Sequence, residues 1–454
     1  MTGSDDDDPE SFQLHDHIRR YLLEDLPADA RRHRHEVAEQ VYSERVAGYE
    51  PEWDPQSGAV FTVWARFESP EFQGLLREWL FHAMRSQGRR LSPRTGLRIT
   101  QVFLEAFAWW GWYLPFDVCE QLLREFSQIS ADKSEADQQW LADLSSFYRN
   151  YRLGFFYGQQ EQRDWAKVGP AIEELRQRAG LTTGSALDRA RHSIDVVSNI
   201  YLAQATAFRH PGSNPEAAAA RFAEARAAVR RSVAAGHPGH EWHDAWIVYF
   251  TGDMWSSCGR PDKAAAALRE LDALQAADAG GLLFDRDLII RATNLQAEVY
   301  LALGDDARAI DACARAALLV YAYHVAQETR EQPPNQYTYT EHLEIIARAN
   351  ACLAEVRQRN HAAWRAGIQR MRATFAPYWR LAGGPEAGQY IPPEGPPPAD
   401  GPALPAGIIP PPPPLDDLGR LTTPFTELAR RVVYEMHPFL DSWVPFHEPG
   451  SESQ

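Results

Sequence analysis

A chain of 454 residues, 44% hydrophobic and 24% charged, has the composition of a soluble globular protein with room for two or three domains. Its 62 acidic and 46 basic side chains give a net charge of −16, which argues against a non-specific nucleic-acid binder and against docking on an anionic membrane leaflet. The lysines are Lys133, Lys167 and Lys263, and none follows a glycine; the G-x-x-x-x-G-K-[ST] phosphate loop therefore cannot be written anywhere in this chain.

From the N-terminus, Met1-Thr2-Gly3-Ser4 and the acidic run Asp5 to Asp8 are the opposite of a secretory leader. Leu14, Ile18, Tyr21 and Leu22 then form an apolar stripe at helical spacing, and a first helical segment is expected to end near Val46. A connector broken by proline and glycine follows from Gly48 to Gly58, with a short strand expected at Val60 to Trp64. From about Leu91 to Arg380, alanine, leucine, arginine and glutamate at three- and four-residue spacing predict helix after helix, separated by short turns. Trp140 to Tyr157 with Trp165 to Arg178, and Ser193 to Phe208 with Pro215 to Val233, read as hairpins. Between Pro385 and Pro414, 13 of 30 residues are proline, the composition of a polyproline-type spacer. Beyond it, Thr423 as cap, Pro424 at the first position and Leu428, Val432 and Met436 predict one last amphipathic helix. Outside the proline tract the longest uncharged stretch, Val196 to Phe208, is too short to span a bilayer.

Two segments inside the helical array repeat one another. Gly252, Trp255, Gly259, Ala264, Leu268 and Leu271 match Ala297, Tyr300, Gly304, Ala309, Cys313 and Ala316 at identical internal offsets, 45 residues apart. Each set has the logic of a helix hairpin, with a small residue at the crossing, an aromatic beyond it, a turn glycine and a second small residue on the return. The pattern resembles the tetratricopeptide repeat, whose period is about 34 residues; the longer period here calls for longer helices or connections. The resemblance implies an all-α helix-hairpin solenoid with a concave face lined by the first helix of each hairpin. By that carry-over Tyr249, Asp253, Asn294 and Glu298 line a groove for a protein or peptide partner. The two acids among them suit a basic or amide-rich ligand.

A second resemblance lies near the start. Phe12-Gln13-Leu14-His15-Asp16-His17-Ile18-Arg19-Arg20-Tyr21-Leu22 is similar to the end of the winged-helix domain of STAND proteins, the signal-transducing NTPases with numerous domains. Phe67-Glu68-Ser69-Pro70-Glu71-Phe72-Gln73 and Trp109-Trp110-Gly111-Trp112-Tyr113 also look like the linker and first hairpins of actinobacterial members. The resemblance implies that His15 senses the β-phosphate of ADP with Asp16 in support. The phosphate-binding half is missing from the resemblance, so ADP or ATP enters only if another module, such as a separate ATPase, supplies it. The domains expected are a winged-helix remnant (1–47), a connector (48–95), a tetratricopeptide-like array (96–380), a Pro-rich linker (381–415), a C-terminal helix (416–446) and a tail (447–454).

Other constellations favour plainer readings. His15, Asp16, His17, His33 and His35 are near in sequence, but Arg31, Arg32 and Arg34 among them disfavour a metal ion. His240-Glu241-Trp242-His243 misses the zinc-protease box by one residue, since the two histidines are three apart rather than four. There is no G-x-S-x-G nucleophile elbow. Cys119, Cys258, Cys313 and Cys352 read as buried thiols in a reducing compartment. Carboxylate pairs such as Glu173-Glu174 and Asp305-Asp306 read as solvated, and the block from Phe107 to Phe116 as core of the first hairpin. The chain is thus expected to be a non-catalytic, cytoplasmic binding protein, the sensor arm of a STAND-type system. The alternative is a free-standing repeat scaffold with no link to a nucleotide. No cofactor, metal, nucleic acid or membrane is expected as a partner.

Overall fold

The computed structural model describes residues 26–49, 64, 66–109, 118–129, 133–152, 164–181, 188–208, 214–237, 239–278, 286–328, 336–370 and 444–447. These residues are overwhelmingly helical, and no strand occurs among them. In chain order the helices are α1 (Ala28–Gly48), α2 (Pro70–Ser86), α3 (Pro93–Trp109), α4 (Val118–Ile129), α5 (Glu135–Arg152), α6 (Trp165–Arg178) and α7 (Arg189–Phe208). They continue with α8 (Pro215–Ala234), α9 (Trp242–Ser257), α10 (Pro261–Ala277), α11 (Arg286–Ala302), α12 (Asp306–Glu328) and α13 (Gln336–Arg359), then α14 at 361–370. No described helix is long and apolar enough to cross a membrane.

Start signals stand where the sequence puts them. Ser69 Oγ accepts from Phe72 N ahead of Pro70, and Asn214 Oδ1 accepts from Ala217 N ahead of Pro215. The repeated glycines do what the pattern requires. Gly259 and Gly304 sit at φ +67° and +82°, left-handed conformations that side chains resist. Each closes its helix by paired turns, Gly259 N to Ser256 O with Arg260 N to Trp255 O, and Gly304 N to Leu301 O with Asp305 N to Tyr300 O. Gly252 is the close-approach residue: a Cβ there would lie 2.9 Å from Leu295 Cδ2 and 3.1 Å from Ala267 Cβ.

Direction can be read from which residues meet. Across α9 and α10, Trp255 meets Lys263 near the turn and Gly252 meets Ala267 farther along, so the two helices are antiparallel. Across α9 and α11, Trp246 meets Arg291 and Gly252 meets Leu295; partner numbers rise together, so the first helices of successive hairpins run parallel. The same holds for α11 and α13, where Asp287 meets His342, Glu298 meets Arg348 and Leu301 meets Arg359. Beyond Asn360, α14 packs on α12: a Cβ on Gly367 would fall 2.4 Å from Ile310 Cδ1.

The N-terminal portion is tied to this array by buried contacts. Helix α1 lies along α2, where His35 Nδ1 and His82 Nδ1 are 2.9 Å apart and Tyr42 stacks on His82. Lys133, itself buried, donates to Met84 O, Gln87 O and Gly88 O and so caps the end of α2. Phe107 packs against Phe147, Tyr151 and Tyr201; the rest of the aromatic block, from Trp110 to Phe116, lies outside the described residues.

Several expectations need amendment. Trp64 is helical rather than the end of a strand, and its buried indole donates to Gly239 O. Val60 to Val63 lie outside the described residues. The connector at 48–95 contains α2. Asp306 is not solvated: it is buried and held by Arg359 and Asn360. The C-terminal helix at 416–446 lies outside the described residues except for 444–446, which are not helical. His15, Asp16, most of the winged-helix remnant and the Pro-rich linker at 381–415 are also outside them. Cys119, Cys313 and Cys352 are buried and Cys258 is half-buried, all four as free thiols.

Candidate functional site

The four groove residues proposed from sequence do come together, and the reason is helical spacing. Tyr249 and Asp253 are four apart on α9, Asn294 and Glu298 four apart on α11, and so each pair shares a face. Two further α11 residues, Asp287 and Arg291, extend that face at intervals of four and three. The stripe Asp287, Arg291, Asn294, Glu298 faces α9 on one side and α13 on the other.

At its centre is Arg348 of α13, which no local sequence pattern singles out. Its guanidinium donates to Glu298 through Nε and, at 2.7 Å, through Nη2, and Nη2 also lies 2.9 Å from Asp253 Oδ1. This is a two-pronged arginine–carboxylate contact with a second acid alongside. Burial opposes the charge on Arg348, but the Glu298 hydrogen bond and the Asp253 carboxylate outweigh it and hold the guanidinium above its ordinary pKa. Two acids facing one guanidinium leave the patch with an excess negative charge. The side chains of Arg348, Glu298 and Asp253 remain 40%, 23% and 16% exposed, so the patch is within reach of a ligand.

Two neighbours differ from the expectation of an open groove lining. Tyr249 is buried, and its phenol is pushed up by burial and by Asp253. Asn294 is 1% exposed and donates to Glu298 Oε1, while its own Oδ1 meets no donor among the described residues. Two turns back from Asn294, Asp287 takes Arg291 Nε at 2.9 Å and faces His342 Nε2 at 3.1 Å. Burial works against its charge, but Arg291 and His342 prevail and keep the carboxyl well below the usual range. Arg291 also lies over Trp246, 5.9 Å from the ring centre.

The histidine cluster that missed the zinc-protease spacing has another role. His240 Nδ1 lies 2.9 Å from Ser232 Oγ and its Nε2 3.4 Å from Ser193 Oγ. Ser193 Oγ donates to Glu105 Oε1 at 2.7 Å, and Glu105 also accepts from Arg66 and Gln101. The residue types are those of a hydrolase triad, but the order is wrong. Serine stands between carboxylate and imidazole, so its proton goes to Glu105 and the histidine cannot take it as a base. All three are buried. Trp64 packs edge-on to His240 and His243, and the cluster is the joint between the N-terminal helices and the array. Burial drops the His240 imidazole to about 4 against the pull of Glu105 and Glu241, and carries His243 well below its ordinary value.

Sequence reasoning missed Arg348, His342, Asp287 and Arg291. The α11 stripe was findable from its 4-3-4 spacing, whereas Arg348 and His342 carry no local signal. Comparison with family models, curated proteins and solved structures finds no match to this chain.

Proposed function

We propose that this protein is a binding protein of tetratricopeptide-like architecture, with its partner held on the shared face of α9, α11 and α13. The observation that carries the reading is the partly exposed Asp253–Glu298–Arg348 patch, with its surplus negative charge. The parallel run of the first helices, set by the 45-residue repeat, supports the solenoid geometry. A basic or amide-rich peptide fits this chemistry. The resemblance of the Leu14-His15-Asp16 segment to STAND proteins supports a role as the sensor arm of a cytoplasmic signalling system of that type, with binding relayed to a nucleotide module that holds ADP or ATP.

Two experiments separate the parts of this reading. On an array of basic and amide-rich peptides, the native chain binds a defined subset and Asp253→Asn with Glu298→Gln loses at least about tenfold, the scale of one charged hydrogen bond. Unchanged binding rejects the face. In cells, His15→Ala alters signalling output if the nucleotide link holds. A free-standing scaffold is indifferent to it.

A further inference from the structure

Residues 444–447, which belong to no helix or strand, lie across α10 and α11. Its docking is specific in both backbone and side chain. Gln296 Nε2 donates to Val444 O at 2.9 Å, Phe446 N donates to Asp272 Oδ2 at 3.0 Å, and His447 N donates to Tyr300 OH at 2.9 Å. Phe446 stacks on Tyr300 with ring centres 4.8 Å apart and planes at 23°. It is 5% exposed, whereas Val444 beside it is 40% exposed, so the phenyl ring is the anchor and the valine is a flank. Pro445 has no N–H to leave unsatisfied, and its ring fixes φ in the extended region.

This face differs from the inner one. Gln296 and Tyr300 are four apart on α11, but two residues round from Asn294 and Glu298, which puts them on the opposite side of the helix. The repeat supplies an internal comparison. Trp255, the counterpart of Tyr300, has Lys263 3.8 Å over its ring; in the next hairpin Tyr300 has Arg308, at the matching position, 5.9 Å from its ring centre, and carries Phe446 stacked on it as well. Three side chains that read extended backbone, plus an aromatic platform for one ring, make up a peptide site rather than a chance contact.

We propose that the α10–α11 face is a peptide-reading site for an extended Pro-Phe segment, and that residues 444–447 are its resident, exchangeable ligand. A partner protein carrying an extended Pro-Phe segment competes for the same three hydrogen bonds and the Tyr300 ring. The proposal is independent of the inner-face reading, since it uses none of the same residues.

The test uses the full chain and a fluorescein-labelled peptide copying residues 441–450, followed by fluorescence anisotropy. The Phe446→Ala chain, whose own segment no longer competes, binds the peptide in the micromolar range. The native chain binds it at least about tenfold more weakly, because a tethered ligand acts at an effective concentration of about millimolar. Adding Tyr300→Phe to the Phe446→Ala chain keeps the stacking ring but removes the acceptor for His447 N, and weakens binding several-fold. Phe446→Leu keeps apolar bulk without the ring and gives the same readout should the alanine variant fold poorly. The proposal is overturned if neither variant binds the peptide, if the native chain binds it equally well, or if the peptide with Phe446→Ala binds as tightly. A concentration-dependent dimer of the native chain that Phe446→Ala abolishes also overturns it, since the segment then serves a second copy.

Discussion

The joint around His240 makes stability depend on pH in a calculable way. In the unfolded chain the imidazole titrates near 6.5 and in the folded chain near 4. Above 6.5 both states are neutral and the group is silent. As pH falls through this window the unfolded state takes up a proton that the folded state refuses, so stability present above 6.5 is lost on the way down to 4. Between pH 7.5 and 5 the loss from His240 is about 2 kcal/mol, at ~1.4 kcal/mol per unit of differential protonation. His243 and His192, whose pKa values burial also lowers, act in the same direction. Glu105 and Glu241 pull the His240 imidazole up and His237 and His192 push it down, but burial outweighs them all. The assay is urea unfolding at constant ionic strength, native chain against His240→Gln. The stability difference between the two should move by about 2 kcal/mol against the native chain from pH 7.5 to pH 5. A difference that stays constant with pH would refute the reasoning, because the depressed imidazole would then not exist.

Other consequences follow from single contacts. Gly367→Ala puts a Cβ 2.4 Å from Ile310 Cδ1 and 2.7 Å from its Cγ2; overpacking of this kind costs about 1–3 kcal/mol, and Ile310→Ala in the same chain should recover part of it in thermal melts. Lys133→Met leaves the carbonyls of Met84, Gln87 and Gly88 without their ammonium and should cost about 1–3 kcal/mol, with faster amide exchange at the end of α2. In a double-mutant cycle of Arg348→Met and Glu298→Gln, partial exposure of the arginine limits the coupling to about 1 kcal/mol. About 1 M salt should shrink it further.

How much of this was legible in the sequence depends on the range of the signal. Helix type and turn position are local, and so Gly259, Gly304, Pro215 and the hairpin of α7 with α8 could be read directly. The 45-residue repeat carried that reading one step further, to the faces of α9 and α11. Contacts such as Trp64 with Gly239, Glu105 with Ser193, and Arg348 with Glu298 span 175, 88 and 50 residues; no spacing rule reaches that far. Of the run Val60 to Trp64, where a strand was expected, only Trp64 is among the described residues, and no local pattern announces that its indole docks 175 residues away on Gly239.

The most direct test of the central claim is quantitative co-purification from the protein's own cells, comparing the native chain with Asp253→Asn plus Glu298→Gln. Both substitutions keep shape and remove charge, and matched circular-dichroism melts establish that the fold is intact. If the face of α9, α11 and α13 is the binding site, at least one reproducible partner falls by about tenfold or more, as expected for lost charged hydrogen bonds. If every partner is recovered at native levels from a fully folded variant, the acidic patch is a seam between hairpins and the binding reading is wrong.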